Sequence, residues 1–330
     1  MIFTTSRDNL DSDPIFFRYA ILHENYSGHK MKTTTDLAIE TFLLLRDNFF
    51  DSKGKPVSFP LRDKRNTQDD PLDEHICEIL ETGLHKEITC TKAPGPLITP
   101  DLVVLRPDVC KSSTFQQLRD DVTKIVAIEV KKLERAKSGT IARYSGLDYN
   151  TTPPCGTVRI YDSASRPLDV RCFYLFICQE PDLDKRGYFK LTAIALCDGN
   201  LLNQDFDFYL SIVGERTKKI GLGTYEDGFN RQRPMLVFAN PLGAKAMDLQ
   251  VTLVHFDGNL HKHYKNIALS NILRRSVSED KYSEFFCYRS KKDIPEDWTV
   301  STLIDPFPVP KRTVKTQPRG RFKLNFRLSD

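Results

Sequence analysis

The sequence predicts a mixed α/β fold, in which a mixed central β-sheet is flanked by helices and extended by an additional β-rich C-terminal part. Two early segments place apolar residues at helical spacing, and from Ile88 onward β-branched residues and short apolar runs take over. Hydrophobic residues make up 40% of the 330 residues and charged residues 28%, which is the balance of a globular protein. A chain of this length can bury a substantial core, as one elaborated domain or as two smaller ones.

Two helices are predicted in the N-terminal part of the chain. The first begins at Thr35 or Asp36, either of which can cap a helix, and it runs towards Phe49 with an apolar surface wide enough to be largely buried. The stretch 51–71 is polar and is interrupted by three prolines, which indicates a linker or a long surface loop. Asp73 is expected to cap the second helix, whose apolar positions recur at helical spacing.

Strands dominate the remainder of the prediction. The apolar runs expected to form strands are Leu102–Leu105, Ile125–Val130, Val170–Cys178, Tyr188–Leu196, Phe206–Val213, Met235–Ala239 and Leu249–Phe256. One further helix is expected from about His261 to Arg275. We divide the chain into an N-terminal helical segment with its linker at 1–70, a core at 71–200, and a β-rich region with a basic tail at 201–330.

Composition and charge restrict the classes of protein. No apolar run approaches the roughly 20 residues that a membrane helix needs, and the first residues are too charged for a secretory signal, so we expect a cytoplasmic protein without membrane partners. Eight cysteines form no CxxC pair and are expected to be reduced and structural. The net charge of +4 permits a polyanionic partner without requiring one.

Three charged side chains are predicted to meet at one edge of the sheet. Pro100 and Asp101 lead into one apolar strand, whereas Glu129, Val130 and Lys131 close another. Because alternate residues of a strand share a face, Glu129 and Lys131 project together while Val130 points towards packing. If the two strands are neighbours, both acids and the lysine converge. The alternative is a turn aspartate and an exposed charge cluster of little energetic consequence.

Two carboxylates beside an ammonium group are suited to phosphodiester hydrolysis. Mg²⁺ takes oxygen ligands from one or two carboxylates and keeps waters, so Asp101 and Glu129, with the Val130 carbonyl, are the expected metal ligands. The cation would polarise the phosphate and lower the pKa of a bound water. Lys131 would orient or deprotonate the attacking water and offset the negative charge of the transition state.

This pattern resembles the PD-(D/E)xK nuclease superfamily, whose Asp, acidic residue and Lys match Asp101, Glu129 and Lys131. The resemblance implies a restriction-endonuclease-like core, with a helix before the Pro-Asp strand that often carries an acid facing the site. Glu78 is our candidate for that acid, with Glu74 and Glu81 left open. The chain departs from the family in two places: an inserted helical segment separates the motifs, and no clean helix follows the lysine.

The size and motifs are similar to those of a type II restriction enzyme. That resemblance implies a Mg²⁺-dependent endonuclease that cuts double-stranded DNA to 5′-phosphate and 3′-hydroxyl ends, acts as a homodimer, and has a DNA methyltransferase as a genetic rather than physical partner. The 71–200 region would be the nuclease core, and the C-terminal region would serve DNA recognition or dimerisation. The alternatives are a repair or junction-cleaving nuclease with the same core and a nucleic-acid-binding protein without catalysis.

Several polar and basic residues are candidates for DNA contacts, because hydroxyl, amide and guanidinium groups bind phosphates and base edges. The candidates are Arg143, Tyr149, Asn150, Thr151, Thr152, Arg159, Arg231, Arg233, Arg319 and Arg321. The alternatives are ordinary solvated loops and a disordered basic tail. His255, His261 and His263 do not complete a zinc site, and the glycines near 221 lack the ending of a phosphate-binding loop.

Overall fold

In the computed structural model, the described residues are 35–65, 69–95, 98–135, 141–142, 156–202, 224–225, 251–306 and 320–329. They all belong to one compact unit, Thr35–Asp330, whereas the second unit, Met1–Thr34, lies outside the described residues. Among the described residues, no helix has both the length and the apolar character needed to span a membrane. Seven of the eight cysteines lie in this part of the chain, and all seven are reduced and buried.

Helix α1, Leu37–Phe49, begins where the sequence predicts. The Asp36 carboxylate caps it by accepting a 2.8 Å hydrogen bond from the Ala38 amide. Its apolar side, including Phe42 and Leu45, is completely buried against one face of the sheet. The helix is therefore held mainly by packing rather than by intrinsic propensity.

Helix α2, Pro71–Gly83, begins earlier than expected, because Asp70 and not Asp73 is its cap. The Asp70 carboxylate accepts from the Leu72 amide at 3.2 Å, and proline at the first helical position has no amide hydrogen to satisfy. Asp73 therefore lies inside the first turn, and its side chain is not used for capping. Helices α1 and α2 together cover the same face of the sheet.

The main sheet is large and mixed, as the sequence predicts. Its strands are β2 Thr89–Lys92, β4 Leu102–Leu105, β5 Ile125–Arg135, β8 Pro167–Pro181, β9 Tyr188–Asp198, β11 Val251–His255, β12 Ile267–Ser278, β13 Lys281–Ser290 and β14 Ser301–Ile304. They follow the order β14-β12-β13-β11-β9-β8-β5-β4-β2 across the sheet. Strand β4 is antiparallel to β2 and β5, β5 is parallel to β8, and β9 is parallel to β11.

Smaller strands and helices complete the fold. Their bounds are β1 Ser58–Pro60, β3 Ile98–Thr99, β6 Ile141–Ala142, β7 Thr157–Tyr161, β10 Thr224–Tyr225, β15 Gly320–Lys323, and the short helices α3 Pro107–Ser112, α4 Phe115–Leu118 and α5 Leu260–His263. The sequence predicts an inserted helix over 113–125, but within that stretch only the four residues of α4 are helical, and α3 lies just before it. Strand β1 lies in the predicted linker and pairs with β9, so this linker is partly structured.

Most predicted strands are confirmed, and several are longer than expected. The predicted strands Phe206–Val213 and Met235–Ala239 lie outside the described residues. The sheet continues across residue 200 through the pairing of β9 with β11. The functional division at that residue remains a prediction.

The helix expected at His261–Arg275 is wrong. Only Leu260–His263 is helical, and the chain then forms β12, which pairs with β13 through a turn that holds Asp280 at a positive φ of 60°. The apolar residues 267, 269, 272 and 273 fit a helical spacing, but the bulge between Leu269 and Asn271 produces the same irregular spacing in a strand. Pairing with a distant strand therefore overrides the local pattern.

A second group of strands closes back on the main sheet. Strand β7 pairs with β8, and β15 pairs with both β7 and β3. Strand β3 leads through Pro100 and Asp101 into β4, which pairs with β5 and so returns to β8. These pairings, together with the chain connection from β3 to β4, form a closed ring of strands, which we call the β15 ring: β3, β4, β5, β8, β7 and β15. Buried apolar residues of all its strands but β3 share one core, on the sheet face opposite to α1 and α2, and the partly buried Ile98 of β3 packs against that core.

Asp36 gives a testable prediction for stability. Burial, opposed by the Ala38 amide and Arg171, raises its pKa from 3.8 to about 7, so the folded protein holds this proton more tightly than the unfolded chain. The contribution is complete below pH 4 and is lost as the pH rises through 7. Asp36→Asn keeps a capping oxygen but cannot ionise. From pH 4.5 to pH 8, its free energy of unfolding should therefore rise relative to that of wild type by on the order of 3 kcal/mol. Urea unfolding at both pH values measures the free energy of unfolding of each protein. A free energy that changes equally with pH in the variant and in wild type would contradict the prediction.

Candidate functional site

The pairing of β4 with β5 brings the two predicted motifs together. Leu102 lies opposite Ile128 in this antiparallel pair, so the next step along each strand places Asp101 beside Glu129. The Asp101 carboxylate accepts a 2.7 Å hydrogen bond from the Val130 amide. The Ala93 amide donates to the Asp101 carbonyl at 2.8 Å, which fixes Asp101 from the β2 side as well. The sequence-based expectation that these strands are neighbours is confirmed.

Glu129 and Lys131 project from the same face of β5. The Lys131 ammonium donates to Glu129 Oε1 at 2.8 Å, and the two side chains are 7% and 0% exposed. They lie on the same face of the strand as Ala127 and Leu133, which belong to the core of the β15 ring. Val130 packs on the opposite face, beside the helices. The alternative of an exposed charge cluster is therefore wrong for Glu129 and Lys131, because both are buried.

The Val130 backbone also faces Asp101. An amide and a carbonyl of one strand residue point to the same side, as the exchanged bonds of an antiparallel pair require. The Val130 amide is directed at Asp101, beyond the last residue of β4 that pairs with β5. Its carbonyl is therefore directed to the same edge, where it is one of the three metal ligands predicted from the sequence.

The helix acid near this cluster is Asp73 rather than Glu78. Glu78 is 67% exposed and lies 4.0 Å from His75, so it does not join the buried group. The charges of Glu129 and Lys131 both act on Asp73, which lies in the first turn of α2. The sequence feature that could have identified Asp73 is the Asp70-Pro71 pair. Because proline favours the first helical position, this pair makes Asp70 the cap and places Asp73 inside the helix.

Negative charge is crowded at the site. Burial, followed by the charges of Glu129 and Asp73, raises the pKa of Asp101 well above its ordinary value, although Lys131 and the Val130 amide act in the opposite direction. The pKa of Asp73 is raised to about 7 by burial and then by Asp70, with Lys92 lowering it. The carboxylates outweigh their cationic neighbours, so a bound cation would relieve their mutual repulsion.

The donors suit a hard cation that keeps its water. Among the described residues, no three His, Cys, Asp or Glu side chains form a group that could hold a metal, which leaves two carboxylates and a carbonyl. Such a set is too small for a closed structural zinc site. It fits Mg²⁺, which is commonly bound by one or two carboxylates and several waters.

Most of the predicted DNA-contacting residues lie outside the described part of the chain: Arg143, Tyr149, Asn150, Thr151, Thr152, Arg231, Arg233 and Arg319. Arg159 lies on β7 and forms a two-pronged ion pair with Asp169 on β8, at 2.8 and 3.0 Å. In this conformation its guanidinium stabilises the pairing of two strands, and phosphate binding would compete with Asp169. The backbone of Arg321 lies in β15 and pairs with Thr99.

The half-buried carboxyl of Asp101 lowers the stability of the folded protein when it is ionised. Because its pKa is raised in the folded state, its contribution to stability decreases as the pH rises. Asp101→Asn keeps an oxygen for the Val130 amide without the charge, so we expect its melting temperature to exceed that of wild type by about 2 °C or more at pH 8. The difference should shrink at pH 5. Asp108→Asn, at a side chain that is 98% exposed, is the control, and an equal shift in both variants would contradict this explanation.

Comparison with known proteins gives no functional assignment. No protein-family model matches the chain, and no curated protein or solved structure matches it at a significant level. The convergence of Asp101, Glu129 and Lys131 is therefore the observation on which a functional hypothesis has to be built.

Proposed function

We propose that this chain is a Mg²⁺-dependent endonuclease that cleaves double-stranded DNA, with a site of the PD-(D/E)xK type. The observation that carries the proposal is the antiparallel β4–β5 pair, which holds Asp101 against the Val130 amide next to the buried Glu129–Lys131 ion pair. Residues of these types at strand ends are common, whereas Glu and Lys are rarely fully buried unless they are paired, and strongly perturbed carboxylates beside such a pair are concentrated at functional sites.

The surrounding elements support a restriction-endonuclease-like core. Helix α2 precedes the Pro-Asp strand and brings Asp73 towards the site, which resembles the acid-bearing helix of that superfamily. Strand β5 is followed in the sheet by the parallel strand β8. Strand β5 runs to Arg135, and residues 136–155 lie outside the described part of the chain except for the two-residue strand β6, so the expected lack of a clean helix after the lysine stays a prediction.

Each residue has a distinct chemical task in this proposal. Asp101, Glu129 and the Val130 carbonyl would hold Mg²⁺, which when bound would polarise the scissile phosphate and activate water. Lys131 is paired with Glu129 and carries its charge at the buried end of the site. An ammonium so paired donates hydrogen bonds, so the geometry favours Lys131 as an electrostatic partner of the phosphoryl oxygens rather than as a base.

Burial favours one alternative function. Glu129 and Lys131 are almost inaccessible, as in a purely structural ion pair, whereas Asp101 is partly exposed. In a non-catalytic nucleic-acid-binding protein the pair would serve only the fold. In the nuclease, the phosphodiester would approach from the side of Asp101. The buried Glu129–Lys131 pair would lie on the far side of Asp101 from the solvent and would act on the phosphate through its charges.

Plasmid cleavage tests the proposal. Purified protein is incubated with unmethylated plasmid and Mg²⁺, and the same assay is run with Asp101→Asn, Lys131→Met and two matched controls. Lys132→Met changes the next residue, whose side chain is 26% exposed, and Asp108→Asn changes an exposed acid. We expect the two site variants to lose roughly 100-fold or more in cleavage rate while the controls stay close to wild type.

The products distinguish the possible functions. Discrete fragments would support a restriction enzyme, and we would then expect a homodimer and a neighbouring methyltransferase gene. Smearing or structure-selective nicks would indicate a repair or junction-cleaving nuclease. Intact plasmid together with tight, salt-sensitive binding would overturn the catalytic proposal and support the binding protein.

The helix acid can be tested in the same assay. Asp73→Asn removes a negative charge that acts on Asp101, whereas Glu78→Gln changes an exposed acid on the same helix. We expect Asp73→Asn to lower cleavage about 10-fold to 100-fold and to raise the Mg²⁺ concentration required for half-maximal rate. Glu78→Gln should leave both quantities unchanged. The reverse result would restore Glu78 as the helix acid.

A further inference from the structure

Strand β15 is the element that closes the β15 ring beside Asp101. Its first two residues pair with Ile98 and Thr99 of β3, and its next two pair with Ile160 and Tyr161 of β7. On one side it therefore holds the two residues that precede Pro100 and Asp101. On the other side it joins the strands that lead, through β8, to Glu129 and Lys131.

Apolar contacts anchor this segment in the core. Phe322, Leu324 and Leu328 are buried in the same cluster as the interior residues of β4 and β5. The intervening Lys323 is exposed and donates to the Ser165 hydroxyl at 2.8 Å. This alternation is that of a strand with one buried face, so it fixes the register of β15.

Hydrogen bonds lock the segment after the strand ends. The Leu324 amide donates to the Tyr161 carbonyl at 2.5 Å, and the Leu328 amide donates to the buried Asp162 carboxylate at 3.1 Å. The Ser329 hydroxyl donates to the Ser113 carbonyl at 2.7 Å, between helices α3 and α4. The segment is thus tied to both the β7 turn and the insertion that connects the two motifs.

We propose that the segment Gly320–Ser329 is a positioning element of the candidate site, which reaches its competent geometry only when β15 is docked between β3 and β7. The bond from the Val130 amide to Asp101 requires Asp101 to be held at the end of β4. The amide of Ala93, the residue after β2, holds the Asp101 carbonyl, and β15 pairs with Ile98 and Thr99, the two residues before Pro100. Without β15, β3 loses the only strand with which it pairs among the described residues.

The catalytic part of this inference rests on the proposed nuclease function, but the positioning part does not. The Val130 amide reports directly on the position of Asp101, because its hydrogen bond ends on that carboxylate. Its hydrogen exchange can be measured whether or not the protein cleaves DNA. Failure of the nuclease proposal and failure of the positioning proposal are therefore distinguishable.

The test compares two buried phenylalanines of the same core in the full chain. Phe322→Ala weakens the docking of β15, whereas Phe285→Ala removes an equally buried ring from β13, which is separated from β5 by β11, β9 and β8. Each variant is measured for thermal stability, for amide exchange at Thr99 and Val130, and for kcat and KM on plasmid. Phe322→Leu is included as a milder variant in case the alanine variant does not fold.

We expect Phe322→Ala to speed exchange at Val130 and Thr99 by at least tenfold beyond its effect on global exchange. Its kcat should fall at least tenfold with KM within twofold of wild type, and Phe322→Leu should show smaller changes in the same direction. Phe285→Ala should change exchange only through global stability. A peptide of residues 318–330 added to Phe322→Ala should restore part of the protection, whereas a scrambled peptide should not.

Two results would overturn the proposal. One is exchange at Val130 that changes equally in Phe322→Ala and Phe285→Ala once global stability is taken into account. The other is normal kcat in a folded variant whose Thr99 amide has lost protection. If wild type cleaves no DNA, the exchange data alone decide whether β15 positions Asp101.

Discussion

The antiparallel pairing of β4 with β5 is the constraint on which the rest of the structure depends. It brings an aspartate from one motif to the glutamate and lysine of the other, and it does so in a place from which water is largely excluded. Excluding water strengthens every charge interaction in the cluster and raises the free energy of the ionised carboxylates. The sheet, the two covering helices and the β15 ring have to supply the packing that keeps such a cluster folded.

This cluster opposes stability, and that opposition is itself informative. A core of similar volume filled by apolar side chains would not carry the penalty of burying Asp101 and Glu129. Strongly shifted pKa values that arise from burial together with specific charged neighbours are concentrated at functional sites, although structural ion pairs also produce them. Here Asp101 and Asp73 add acids beside the Glu129–Lys131 pair, and these additional acids support the proposed cation site.

The sequence was sufficient for the parts of the molecule that local patterns determine. The start of α1 at Thr35 or Asp36 and the strand at Leu102–Leu105 follow from residues close together in the chain. The meeting of Asp101 with Glu129 was predicted on the condition that their strands are neighbours, which the structure satisfies. The helix predicted over β12 failed because a bulge imitates helical spacing, and β15 was missed because its partners lie more than 150 residues away at Tyr161 and more than 200 away at Thr99. Pairing with a strand so distant in the chain cannot be detected from the local spacing of apolar residues.

The basic segment around β15 combines a buried apolar face, which packs in the core, with exposed cations, which are available to a polyanion. The sequence predicts a basic tail whose cations contact phosphates, whereas the structure buries Phe322 of this segment in the core and leaves Lys323 and Arg327 exposed. If those exposed cations contact DNA, binding would favour the docked state of β15 over the undocked state by its differential affinity for the two. The same docking holds β3, and with it the approach to Asp101. Substrate binding and site geometry would then be linked through one strand, because whatever stabilises its docking stabilises both.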